Sequence, residues 1–94
     1  RTGGVLYAVA EEAIGENMAL LARTTGVFGE TATGVTLGAL RAAVSAGELN
    51  DRSRVVLLVT GDGLKTPGPV AGGYDPVFIE ADADAFLDDV LAPA

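Results

Sequence analysis

The sequence predicts an α/β fold, a mainly parallel sheet with flanking helices, as a single unit spanning residues 1–94. Its central observation is Val55-Val56-Leu57-Leu58-Val59, an unbroken apolar run. A run of that kind is the habit of a strand buried on both faces of a parallel sheet. Shorter β-prone runs at residues 5–9 and 77–79 supply further strands. Between the runs lie segments whose apolar residues recur at helical spacing, and such alternation points to parallel strands joined by helices.

Each element has its own justification along the chain. Residues 5–9 form the first expected strand. Glu11 and Glu12 then mark a helix start, because carboxylates stabilise the positive end of the helix dipole. Ile14, Met18, Leu21 and Ala22 give that helix one apolar face through about Thr24. Gly15 weakens it, and Gly26 is a natural stop. Val27 and Phe28 read as a brief extended segment.

The second helix is expected to begin at Thr31 or Thr33, either of which could cap it. It should run to about Ala46, with Leu37, Leu40 and Val44 as its buried stripe and Gly47 as its end. Small residues crowd it: Ala32, Gly34, Gly38, Ala39, Ala42, Ala43 and Ala46. They permit close approach, at ~1 kcal/mol of intrinsic helix stability for each glycine. Residues 48–54 are a polar connection into the central apolar run, and residues 66–75 a loop rich in proline and glycine. The helical stripe Ala83, Phe86, Leu87, Val90 and Leu91 closes the chain.

Composition excludes several function classes. A net charge of −7 argues against nucleic acid and anionic membrane, both of which call for basic patches. There is no cysteine for a disulfide or thiolate metal site, and no histidine, the commonest general base and zinc ligand. Apolar runs are too short to span a bilayer, so a soluble, cytoplasmic protein is expected. The opening Arg1-Thr2-Gly3-Gly4 reads as the tail of a loop, which suggests a piece of a longer protein.

Among candidate sites, Thr60-Gly61-Asp62-Gly63 stands first. It follows the central apolar run, and ligands of open α/β sheets collect at the carboxyl ends of strands. Glycines there let backbone approach a ligand closely; the competing reading is a tight Asp-Gly turn that ends a strand. Neither the phosphate-binding P-loop spacing nor the three-glycine dinucleotide fingerprint is present. Glu30, isolated before a small-residue helix, is the second candidate, weighed against simple helix-start electrostatics. Lys65 is the only lysine; a buried lysine could form a Schiff base, but one following a turn reads as a solvated charge. Glu80, Asp82, Asp84, Asp88 and Asp89 lack the EF-hand pattern and read as helix capping and a solvated face. No metal site is expected.

The order of three segments carries a family resemblance. Ala8-Val9-Ala10-Glu11-Glu12-Ala13-Ile14, then Leu20 to Glu30 (LLARTTGVFGE), then Thr60-Gly61-Asp62-Gly63-Leu64-Lys65 resemble the C-terminal part of the threonine synthase family. That family is a branch of the tryptophan-synthase-β-like, fold-type II pyridoxal-phosphate enzymes, and the expected sheet would be the C-terminal part of their large domain. The resemblance implies a lyase of threonine biosynthesis that converts O-phosphohomoserine and water to threonine and phosphate. Its cofactor would be pyridoxal 5′-phosphate, acting as an electron sink. By the same resemblance Thr60 would hydrogen-bond the cofactor's pyridine nitrogen, with Glu30 close to the ring; Gly61, from its place after the apolar run, is the third expected cofactor-binding residue.

The family's Schiff-base lysine and phosphate loop lie earlier in its sequence, so no catalytic residue is expected here and the segment alone should be inactive. The complete enzyme is expected to be a homodimer acting on a small amino-acid substrate. Three positions depart from the family pattern: Thr31 where Glu-Pro-Ala has proline, Asp62 where the signature has histidine, and Thr66 where aspartate often follows the lysine. The alternatives are threonine dehydratase or another β-replacement or elimination enzyme using the same cofactor, and a non-catalytic α/β module.

Overall fold

The computed structural model describes residues 2–73 and 76–92. Helix α1 spans Glu11–Thr25 and helix α2 spans Thr31–Ser45. Two 3₁₀ turns follow, Gly63–Lys65 and Gly68–Val70. Helix α3, Ala83–Phe86, runs into a wider π-helical turn at Leu87–Leu91.

Local signals set the helices. Glu11 and Glu12 occupy the first turn of α1, and Gly26 ends it at φ 76°, its N–H donating to the Ala22 carbonyl. A left-handed residue at that place favours glycine because it has no Cβ to clash. Helix α2 begins where expected, but neither Thr31 nor Thr33 caps it. Glu30 precedes its first turn without a side-chain cap bond, and the Thr33 hydroxyl is buried without a partner among the described residues.

The core lies between α1 and α2. Met18 is fully buried, with Ile14, Leu21 and Ala43 around it. A buried side chain of this kind contributes about 1.5–3 kcal/mol. The face that α2 turns to α1 is not the expected stripe, since Leu37 and Leu40 are only half-buried and Val44 is exposed. Small residues make the contact instead. A Cβ on Gly34 would lie 2.6 Å from the Ile14 carbonyl oxygen. On Gly38 it would lie 2.9 Å from Asn17 Nδ2. Buried Asn17 donates to the Gly34 carbonyl at 3.2 Å and accepts from Arg41 at 2.7 Å. Gly15, which weakens α1 intrinsically, lets the backbone of Pro69 dock on the helix.

The expected parallel sheet is absent: the described residues contain no β-strand, only an isolated antiparallel bridge between Gly29 and Asp62. Residues 5–9, 55–59 and 77–79 have no strand partner. The central run is not covered by helices, with Val56 85% and Leu58 71% exposed. Leu6 and Phe78 are likewise exposed. The physical reason is that helices close their hydrogen bonds within themselves, whereas a strand closes them only against a neighbour. Among the described residues no segment pairs with residues 55–59 in a β-bridge. The radius of gyration, 18.2 Å, exceeds the ~12 Å of a compact chain of this length. Of the expected loop at 66–75, residues 74 and 75 lie outside the described residues; the rest holds the turn at Gly68–Val70.

Candidate functional site

Two segments far apart in sequence are joined beside α2. The N–H of Glu30 donates to the Gly61 carbonyl at 3.0 Å, and the N–H of Gly63 donates to the Phe28 carbonyl at 2.9 Å. These bonds make the Gly29–Asp62 bridge. Gly63 is buried beneath the Phe28 ring, where any Cβ would overlap it. Asp62 caps the turn by accepting from the Leu64 N–H at 2.8 Å. The Thr31 N–H donates to Thr66 Oγ1 at 3.0 Å, a bond that a proline at position 31 could not make. Two of the three departures from the resembled pattern thus meet in one contact.

The junction surrounds the Glu30 carboxylate. Its side chain is 15% exposed, and Oε2 lies 3.0 Å from Lys65 Nζ. Thr60 Oγ1 donates to Oε1 at 3.4 Å, a long contact for a hydroxyl–carboxylate pair. Gly61 faces the same carboxylate so closely that a Cβ would overlap it. The structure therefore brings together the three sequence-predicted residues, Thr60, Gly61 and Glu30, across 30 positions of chain. It adds Lys65, which is paired with Glu30 as well as solvated. Chemically the cluster offers one hydroxyl donor and a charge-balanced carboxylate packed against the Gly61 backbone.

Other candidates stay apart from it. Asp82 accepts from the Ala85 N–H at 3.4 Å, as a helix cap. Among the described residues, no group of three or more His, Cys, Asp or Glu side chains is placed to hold a metal ion. An apolar cleft of about 700 Å³ lies behind the junction, lined by Ala22, Arg23, Phe28, Leu64 and Val70 among others. Thr60, Gly61 and Glu30 do not line it; the candidate site is placed at the polar cluster because there the three sequence-predicted residues meet. No helix of the described residues is long and apolar enough to cross a membrane.

Sequence reasoning missed the supporting roles of Phe28 and Thr66. Both act on residues more than thirty positions away, and nothing local marks such pairing.

Comparison with known proteins agrees with the resemblance. Residues 1–61 match the family described as pyridoxal-phosphate dependent enzyme, a stretch that includes Glu30, Thr60 and Gly61. A threonine synthase of Halalkalibacterium halodurans is 35% identical over 91 residues, 95% of this chain and 26% of that relative. A threonine synthase of Methanocaldococcus jannaschii is 35% identical over 82 residues, 86% of this chain and 20% of that relative. The chain spans about a fifth to a quarter of the length of these relatives.

Proposed function

The chain belongs to the family of pyridoxal-phosphate dependent enzymes, and from that premise we propose that it is the C-terminal portion of a threonine synthase-like lyase. The complete enzyme converts O-phosphohomoserine and water to threonine and phosphate, as a cytoplasmic homodimer. The 94 residues are one unit of its catalytic domain and are inactive alone. Supporting this reading are the two similar threonine synthases. The single observation that carries it is the convergence of the Thr60 hydroxyl, the Gly61 backbone and the Glu30 carboxylate.

These residues fit the ring-nitrogen end of pyridoxal 5′-phosphate, the family's cofactor. Thr60 is exposed and carries one hydroxyl proton, held only by the 3.4 Å contact to Glu30. That proton is available to an aromatic nitrogen. Gly61, having no side chain, leaves room for the Glu30 carboxylate to sit beside Thr60. When bound, the cofactor supplies an electron sink for carbanion chemistry. Thr60 holds and orients the ring nitrogen; being neutral, it leaves the nitrogen less strongly protonated than a carboxylate partner would. Elimination and replacement chemistry is compatible with such a moderated sink. Lys65, paired with Glu30 at 3.0 Å, is not the Schiff-base residue.

Substituting Thr60 in the full-length protein tests the reading. Thr60→Val keeps the shape and removes the hydroxyl; an unpaired buried ring nitrogen costs ~1–3 kcal/mol, roughly tenfold in cofactor affinity or turnover. Thr60→Ser should be much milder. Equal, near-native affinity, absorbance and rate in both variants would remove Thr60 from the site. A full-length protein that neither binds the cofactor nor turns over would favour the non-catalytic module.

A further inference from the structure

The Lys65–Glu30 pair sits where it controls the Thr60 hydroxyl, and its consequence goes beyond cofactor contact. A threonine hydroxyl has one proton to donate. An ionised carboxylate within reach competes with every other acceptor for that proton, normally closing to about 2.5–2.7 Å. Glu30 Oε1 stands instead at 3.4 Å from Thr60 Oγ1, although the Glu30 side chain is only 15% exposed. What holds it back is on its other oxygen: Lys65 Nζ, 3.0 Å from Oε2.

Backbone hydrogen bonds frame this hold. Lys65 ends the 3₁₀ turn Gly63–Lys65, and its N–H donates to the Asp62 carbonyl at 3.1 Å. Asp62 in turn bridges to Gly29, the residue before Glu30. The ammonium and the carboxylate therefore hang from one hydrogen-bonded junction, with the Gly61 backbone closing the third side.

We infer that Lys65 is a positioning residue that draws the Glu30 carboxylate away from Thr60, leaving the Thr60 proton free for the cofactor's ring nitrogen. This rests on the cofactor-site reading above. It also assigns the chain's only lysine a role other than Schiff-base formation. No group is transferred; the effect is competition for one proton.

The test uses the full-length protein carrying Lys65→Met or Lys65→Arg, each with native Glu30 and with Glu30→Gln. Two readouts are taken: the cofactor dissociation constant by absorbance titration, and the Thr60–Glu30 distance in crystals of the cofactor-free protein. Lys65→Met should close the contact from 3.4 Å to about 2.7 Å. It should weaken cofactor binding by about three- to tenfold, the size of one neutral hydrogen bond. Lys65→Arg, which preserves the cation, should restore both values. With Glu30→Gln in place, Lys65→Met should cost less than about twofold, since an amide competes weakly. An unchanged contact in Lys65→Met, or an equal affinity loss with and without Glu30, overturns the inference. Failure of the site reading looks different: Thr60→Val would then bind the cofactor as the native protein does. A Thr60→Val loss beside an unmoved Lys65→Met contact refutes the role of Lys65 alone.

Discussion

Gly61→Ala separates the site from the scaffold. Gly61 is not among the described glycines with positive φ, so alanine meets no backbone strain. Its Cβ would overlap Glu30 Oε1 and Cδ and lie 2.9 Å from Oε2. Ordinary van der Waals contact begins near about 3.5 Å, so the carboxylate must retreat by roughly 1 Å or more. It is the end of a flexible side chain, and a rotation suffices. The Lys65–Glu30 pair is then lost, but Lys65 is 65% exposed, and such a pair contributes ~0–1 kcal/mol. Stability should therefore fall by less than ~1 kcal/mol in denaturant unfolding. The cofactor site should suffer more, because the added methyl takes the space of the Glu30 carboxylate, which leaves its Lys65-held position and is free to compete for the Thr60 proton. Losing one positioned hydrogen bond costs ~0.5–1.5 kcal/mol, roughly two- to tenfold in cofactor affinity by titration of the full-length protein. Native affinity in Gly61→Ala would refute the placement of the site. A stability loss above ~2 kcal/mol would show instead that Gly61 serves folding.

Three further outcomes follow from the same geometry. Borohydride reduction of the 94-residue chain with pyridoxal phosphate should leave no stoichiometric adduct at Lys65 by mass spectrometry; an adduct would show that the Glu30 pair does not occupy it. Gly34→Ala gains ~1 kcal/mol of helix propensity but forces a Cβ to 2.6 Å from the Ile14 carbonyl oxygen. Overpacking of that kind costs ~1–3 kcal/mol, so unfolding should show net destabilisation, and a stabilised variant would refute the close helix contact. The Tyr7 hydroxyl donates to the Glu48 carboxylate, and this bond, with minor desolvation and the nearby charge, raises the Tyr7 pKa above 10.0. A raised folded-state value means the contact's contribution is present below about pH 10 and lost as pH rises through the folded value. Tyr7 ring shifts followed by NMR should titrate above the usual range, and Glu48→Ala should return them to it; an unshifted midpoint would contradict the contact.

The candidate site was legible to an unusual degree for a reason specific to its residues. Thr60 and Gly61 follow the apolar run, and Glu30 precedes a helix of small residues, so each is marked by its own neighbours. Their meeting was legible only through the family resemblance. The hydrogen bonds that make it, Glu30 to Gly61 and Gly63 to Phe28, join backbone groups, which leave no trace in side-chain pattern. Lys65 looked like a solvated charge because a turn position says nothing about what faces it. The buried side of α2 was misjudged for a related reason. Leucines mark where apolar area is available, but close contact with Ile14 and Asn17 selected Gly34 and Gly38, where the backbones can approach.

By itself the sequence determined what is local. The start of α1 at paired glutamates, its end at Gly26, the extent of α2 and the capping by Asp62 and Asp82 each depend on residues within a few positions. Only the tertiary structure decided what depends on distant partners. Residues 55–59 have the composition of a buried strand, yet Val56 and Leu58 stay exposed and no ladder forms. An extended segment carries its hydrogen-bonding groups outward and becomes a strand only beside another. A helix satisfies those groups within one turn. The same rule explains the site: hydroxyl, glycine and carboxylate are written in the sequence, while the 3.4 Å and 3.0 Å contacts around Glu30 exist only where the two segments meet.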